Sequence, residues 1–290
     1  MTICIGALAA DKRAVIGIAD RYISFGSLGA KGDTDSVKIL PLQNGVHAMI
    51  AGNDDAIARV MAKLVMHDDL GTDRRQTREY CETAYHEAET ELLEMRYLRP
   101  FLSTKEYKEA LLKDQVNSVI KSIAEAIRSD RHTAEEPTFS CELILCGFDA
   151  NKEPYILTLL DPGACTDSTL TGFSTIGSGS SHALNEMFNN EWERKFSLDR
   201  ALYDILDAKI EAEDDDDVGY NWDAVILTAG SCKTVPENIK TMLDRTWIML
   251  NRSPYSVFNK DEDVPLPPRN WKKRLKEFTD GILPPVAPAP

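Results

Sequence analysis

The sequence lacks any run approaching the roughly 20 apolar residues that a membrane-spanning helix needs. Its apolar start is too short for a secretory signal and has no positively charged flank, so the expectation is a cytoplasmic protein without a membrane partner. Cysteine is sparse and unpatterned. The six, at 4, 81, 141, 146, 165 and 232, include no Cys-x-x-Cys pair, which argues against zinc and leaves reduced thiols as the simplest reading. The five histidines, at 47, 67, 86, 132 and 182, form no His-Glu-x-x-His pattern, so surface or core roles outweigh metal binding. The run Asp214-Asp215-Asp216-Asp217 lacks the alternating ligands and glycine of a calcium loop and reads as a solvated loop. Basic residues are outnumbered, 33 against 47 acidic, and the net charge of −14 argues against nucleic acid or an anionic membrane as partner. There is no internal repeat, and nothing in the pattern asks for a metal or cofactor.

What is present is an ordinary globular composition, 43% hydrophobic and 28% charged over 290 residues, with ample length to bury a core. No second domain stands out. The expected division is one domain over 2–250, with a helical enlargement at about 70–132, and a Pro-rich appendage over 251–290. In that appendage Val264-Pro265-Leu266-Pro267-Pro268 and Pro284 to Pro290 carry no period, while Trp271 to Phe278 could form a short basic amphipathic helix docked on an acidic surface.

The first 52 residues carry the strongest pattern. Thr2 opens the alternating run Ile3-Cys4-Ile5-Gly6-Ala7-Leu8, and a second run, Ala14 to Ala19, delivers Asp20; the turn at Ala10-Asp11-Lys12-Arg13 predicts a hairpin between them. A second hairpin joins Val37 to Leu42 with Val46 to Ala51 around Gln43-Asn44-Gly45, and runs into Gly52-Asn53. Asn53 or Asp54 can cap the amphipathic helix that follows, whose apolar face is Ala56, Ile57, Val60, Met61, Leu64 and Val65. Further helices are predicted over about Arg75 to Leu98, from the capping box Ser103-Thr104-Lys105-Glu106 through Ile127, from about Ser181 to Trp192, and from Leu198 to about Ala212. Strands are predicted at Phe139 to Asp149, Pro154 to Leu160 and Trp222 to Leu227. A threonine near the chain start, an acid at a strand end, a lysine and a helix start are parts that acyl-transfer chemistry can use.

This order of parts resembles the β-subunits of proteasomes and their bacterial relatives, in the N-terminal nucleophile (Ntn) hydrolase superfamily. The matching residues are Thr2, Ala19-Asp20, Lys38 within Lys38-Ile39-Leu40-Pro41-Leu42, Ala51-Gly52, the central hairpin ending in Asp161-Pro162-Gly163, and Gly177-Ser178-Gly179-Ser180 before a helix. The family often has Asp-x-x-Ser-Gly before its last core strand; here Asp215 takes the acid position and Val218 replaces the serine. The first hairpin and the segment from Asp20 to Lys38 are slightly longer than the family pattern. The resemblance implies an α+β fold, a four-layer αββα sandwich of two antiparallel sheets flanked by helices.

It also implies roles. Once Met1 is removed, Thr2 would supply both a hydroxyl nucleophile and its own α-amine as base. An α-amine of pKa about 7.7–8.0 is already partly neutral near neutral pH, so Lys38 would act mainly by stabilising negative charge developing on the Thr2 oxygen. Asp20 would neutralise and orient Lys38, the Gly52 N–H would face the oxyanion, and Ser178 and Asp215 would orient the α-amine and a hydrolytic water. The expected function is a threonine peptidase of the Ntn hydrolase type, cutting amide bonds through an ester acyl-enzyme and self-associating into a ring or spiral. Whether an unfoldase partner exists is not readable.

Two alternatives stand beside this one. The first is a small-molecule amidohydrolase on the same fold; the second is a non-catalytic structural subunit, against which the lack of an extension before Thr2 weighs. Taken singly, each piece has a plain explanation: a Met-Thr start is ordinary translation, a strand-end Asp is usually a turn residue, a lone Lys usually faces solvent, and Gly-Ser-Gly-Ser is usually a turn. Cys4, inside a strand, reads as core. Substrate preference depends on the loops around 21–35 and 48–53, whose geometry sequence does not supply.

Overall fold

The computed structural model describes residues 2–25, 30–33, 37–98, 103–113, 118–133, 139–215, 218–251 and 270–283. Strands β1 (Cys4–Ala9) and β2 (Ala14–Asp20) form the first hairpin, and β3 (Tyr22–Phe25) and β4 (Ala30–Asp33) pair as a small ribbon. They are followed by β5 (Ile39–Pro41), β6 (His47–Gly52) and the helices α1 (Asp54–Leu64), α2 (Arg74–Leu93), α3 (Thr104–Leu112) and α4 (Ser118–Thr133). The second half runs β7 (Cys141–Phe148), β8 (Pro154–Leu160), β9 (Ala164–Asp167), β10 (Phe173–Ile176), α5 (Ser180–Asn189), α6 (Leu198–Glu211), β11 (Trp222–Thr228), β12 (Ser231–Thr234), α7 (Glu237–Asn251) and α8 (Trp271–Asp280).

The strands build two antiparallel five-stranded sheets, ordered β10-β1-β2-β11-β12 and β5-β6-β7-β8-β9, in a mixed α+β sandwich. The period of two along each strand decides which side chains go where. In β1 and β2, Ile5, Ala7, Ile16 and Ile18 face a cluster shared with Leu202, Ile205 and Leu206 of α6. Their neighbours Cys4, Leu8, Val15 and Ala19 meet Met49 and Ala51 of β6, Ile144 of β7 and Ile156 of β8 between the sheets. The outer face of the second sheet, including Ala48, Leu143, Leu145 and Leu157, packs on Ile57 and Val60 of α1 and Ala84 and Tyr85 of α2. Strands buried on both faces are the reason that β1 and β2 read as nearly continuous apolar runs.

Local chemistry sets the helix boundaries. Asn53 caps α1 by accepting from the Asp55 and Ala56 N–H groups at 3.0 and 3.3 Å, and Asp54 and Asp55 in the first turn complement the helix dipole. The capping box at α3 forms as expected, with the Ser103 N–H on Glu106 Oε2 at 2.9 Å and the Glu106 N–H on Ser103 Oγ at 3.3 Å.

The structure departs from the predicted elements in places. The helix expected over 75–98 is α-helical to Leu93 and closes in a π turn over Glu94–Leu98; the one expected from Ser103 to Ile127 is divided into α3 and α4. Sequence patterning does not mark β3, β4, β9, β12 or α7. Short edge strands such as β12, exposed at every position, carry no apolar alternation to read. Helix α8 packs through Leu275 into the cluster that holds β1 and β2, so this part of the C-terminal segment joins the main core. Residues 264–268 and 284–290 lie outside the described residues, as do Asp216, Asp217 and part of the 21–35 loop. Among the described residues, no helix is long and apolar enough to cross a membrane.

Candidate active site

The register of the first hairpin places the two ends of its strands together. Cys4 pairs with Ala19, the Asp20 N–H donates to the Ile3 carbonyl at 3.1 Å, and the Ile3 N–H donates to Asp20 Oδ1 at 3.1 Å. Thr2, one residue further out, is thereby held beside Asp20, and its hydroxyl donates to Asp20 Oδ1. Lys38 arrives from the other sheet. Its carbonyl accepts from the Ile50 N–H of β6 at 3.2 Å, and its ammonium donates to Thr2 Oγ1, to Asp20 Oδ1 at 2.8 Å and to the Tyr22 carbonyl. All three side chains are buried, with Thr2 3%, Asp20 1% and Lys38 8% exposed.

A buried carboxylate is tolerated only when its oxygens are satisfied. Asp20 meets this condition on both sides, because Oδ2 accepts the Gly219 N–H at 3.0 Å while Oδ1 serves Thr2, Ile3 and Lys38. Gly219 reaches it because β11 lies alongside β2, with Trp222 opposite Asp20 and the Arg21 N–H on the Asn221 carbonyl at 2.9 Å. Arg21 and Asp223 add a two-pronged ion pair at 2.6 and 2.7 Å over the same junction.

The turn after β10 closes on the Thr2 backbone. The Ser178 hydroxyl and the Gly179 N–H both donate to the Thr2 carbonyl, at 3.4 and 3.5 Å. Gly177 permits this closure: its φ is +95°, and a Cβ there would stand 2.1 Å from the Thr2 carbonyl oxygen. The Gly177 N–H is held by Glu142 Oε2 at 2.8 Å. Burial pushes the Glu142 carboxyl above the ordinary glutamate range; the Gly177 N–H pulls it back and Asp161 pushes it further up.

The structure therefore brings Thr2, Asp20, Lys38 and Ser178 into one hydrogen-bonded group. Gly52 ends β6 opposite Cys141, at φ +119°, directly before the Asn53 cap of α1. A Cβ on it would lie 2.4 Å from the Ser140 carbonyl oxygen, so the chain there has room for glycine alone. Asp215 is half-buried at the start of a turn in which its carbonyl accepts the Val218 N–H at 3.0 Å, immediately before Gly219. Cys4, fully buried, has its thiol pushed far up by burial, with Lys38 opposing, and sits in the inter-sheet core as its strand position suggested.

Sequence reading missed Glu142, Lys209, Gly219 and the Tyr22 carbonyl. Two of these left a signal. Glu142 is the polar residue in the apolar run of β7, and Lys209 continues the apolar stripe Leu198, Leu202, Ile205, Leu206 of α6 at helical spacing. The other two contribute backbone groups, which no side-chain pattern reveals.

Chemically, the group holds a hydroxyl between a carboxylate and an ammonium in a site nearly closed to water. There the ammonium favours an oxyanion form of the threonine oxygen. Comparison of the sequence with protein-family models and with curated proteins gives no match.

Proposed function

We propose that the chain is an N-terminal threonine amide-bond hydrolase, most concretely a peptidase, built on a four-layer αββα sandwich of the Ntn type that the sequence resembles. The observation that carries this reading is the direct contact of Thr2 Oγ1 with both Asp20 and Lys38, residues supplied by three separate strands' ends or starts.

In this reading, removal of Met1 frees the Thr2 α-amine. The amine takes the hydroxyl proton as Thr2 Oγ1 attacks the substrate carbonyl, and the proton passes to the departing amine as the C–N bond breaks. Lys38 stabilises the negative charge gathering on Oγ1, and Asp20 holds that ammonium in place. The Gly52 N–H, at the approach to the N-terminus of α1, stabilises the oxyanion of the tetrahedral intermediate, a task for which one donor is worth about 3 kcal/mol. Water then adds to the ester carbonyl, and the carboxylic acid leaves as Thr2 recovers its proton. Ser178 keeps the Thr2 main chain in place through its carbonyl. The proposed assembly is a ring or spiral of copies, as in the proteins that the sequence resembles.

N-terminal sequencing and intact mass, followed by cleavage of a peptide library, test the proposal. It expects loss of Met1 and an acylating probe adduct on Thr2. A retained Met1 and an unmodified Thr2 would favour the structural-subunit reading, and adducts without peptide cleavage would favour a small-molecule amidohydrolase.

A further inference from the structure

Lys209 has no place in the chemistry just described, yet it is the side chain whose burial is hardest to explain as packing. It lies on α6 at 0% exposure, within the stripe that faces β1 and β2. Its three ammonium donors are all used: on Glu213 Oε1, on the Gly219 carbonyl at 2.7 Å and on the Tyr220 carbonyl at 2.9 Å. Burying an ion pair of this kind is often no better for stability than burying an apolar residue of the same size, so stability alone does not account for a lysine here.

The geometry of its partners does. Gly219 is gripped from both sides, with its N–H on Asp20 Oδ2 at 3.0 Å and its carbonyl on Lys209 at 2.7 Å. The preceding residue, Val218, brings no hydroxyl; its side chain packs at Gly179, where a Cβ would lie 2.7 Å from Val218 Cγ2. A polar tether on the carbonyl side of this turn therefore comes from behind, out of α6. We infer that Lys209 is a positioning residue: it fixes the 219–220 turn so that the Gly219 N–H holds the Asp20 carboxylate in register with Lys38 and Thr2. This inference rests on the proposed threonine chemistry for its consequence, and on the hydrogen bonds alone for its mechanism.

Two readouts separate those parts. The first is hydrogen exchange of the Gly219 amide in Lys209→Met, with the β1 and β2 amides as internal reference. The second is the rate at which a β-lactone acylates Thr2, where Oγ1 forms the ester bond, the ring C–O bond breaks and the released ring oxygen takes the proton. The expected result is that Gly219 protection falls about tenfold, and that the maximal acylation rate falls about tenfold with unchanged half-saturation, the effect of losing one positioned hydrogen bond. The reference amides stay protected. Should Lys209→Met not fold, Lys209→Gln, which keeps one donor arm, carries the same comparison. Unchanged Gly219 exchange, or a wild-type acylation rate in the folded variant, overturns the inference. Absence of any adduct on wild-type Thr2 instead overturns the threonine chemistry, and exchange at Gly219 still decides what Lys209 does.

Discussion

Lys38 Nζ lies 2.8 Å from Asp20 Oδ1, and both side chains are almost entirely withdrawn from water. Each charge is tolerable in that position because the other is there, and because backbone N–H groups of Ile3 and Gly219 serve the carboxylate as well. The Thr2 hydroxyl sits within this pair, so its setting depends on both partners.

Removing one partner should therefore cost more than removing both. Lys38→Met leaves a buried carboxylate and is expected to destabilise the fold by about 3–5 kcal/mol, while adding Asp20→Asn to it, itself also made alone, recovers part of that loss. Urea unfolding of the single and double variants measures the coupling. Additive single effects would mean that the two charges do not depend on each other.

Thr2→Ala should separate chemistry from architecture. The Lys38–Asp20 contact and the Thr2 main-chain contacts do not need the hydroxyl, so stability should change by no more than about 1–2 kcal/mol. Hydrolysis and the Thr2 adduct should vanish, and Thr2→Ser should retain both. Persistent turnover in Thr2→Ala would move the search to another nucleophile.

The turn that closes on Thr2 offers a steric test. An alanine at 177 would need φ near +95° and would place its Cβ 2.1 Å from the Thr2 carbonyl oxygen. Gly177→Ala is expected to cost at least about 1–3 kcal/mol of stability and to slow acylation of Thr2 by displacing its main chain. Thermal unfolding and probe kinetics report the two effects. A variant indistinguishable from wild type in both would show that the turn does not hold Thr2.

Glu142 supplies a pH dependence. Its carboxyl is raised above the ordinary glutamate value, so between the unfolded value of about 4.3 and the folded value the native state binds more protons than the unfolded one. Its contribution to stability is then most favourable below the ordinary range and declines as pH rises through that window. Glu142→Gln can still accept the Gly177 N–H through its amide oxygen, without the charge. At neutral pH the variant should be the more stable protein, and the difference should close as pH falls below the ordinary glutamate range. Melting temperatures across pH 3.5 to 8, about the window set by these values, provide the check. A pH-independent difference would count against burial as the cause.

Much of the architecture could be read from residue patterns because the patterns are local. The apolar runs at 3–8 and 14–19 mark β1 and β2; Asn53 and the Ser103 to Glu106 box mark helix starts that the structure contains. The end of α3 at Leu112 and the π turn after Leu93 are not legible, since a continuous apolar period does not mark where a helix ends. Thr2, Asp20 and Lys38 could be singled out by type and order. Glu142 and Lys209 escape the pattern because each is a single polar residue standing at a position of an apolar stripe, which periodicity averages away.

The sequence by itself determined where the long core strands and the amphipathic helices lie and which helix faces are apolar, since these follow from apolar runs and from a side-chain period of about 3.6. Only the tertiary structure decided that the Asp20 carboxylate is shared among Thr2, Ile3, Lys38 and Gly219, the last 199 positions away. The physical reason is that strand register and the stacking of the sheets, rather than neighbouring residues, set the distance between groups far apart in the chain. A hydrogen bond depends on that distance to within a few tenths of an ångström.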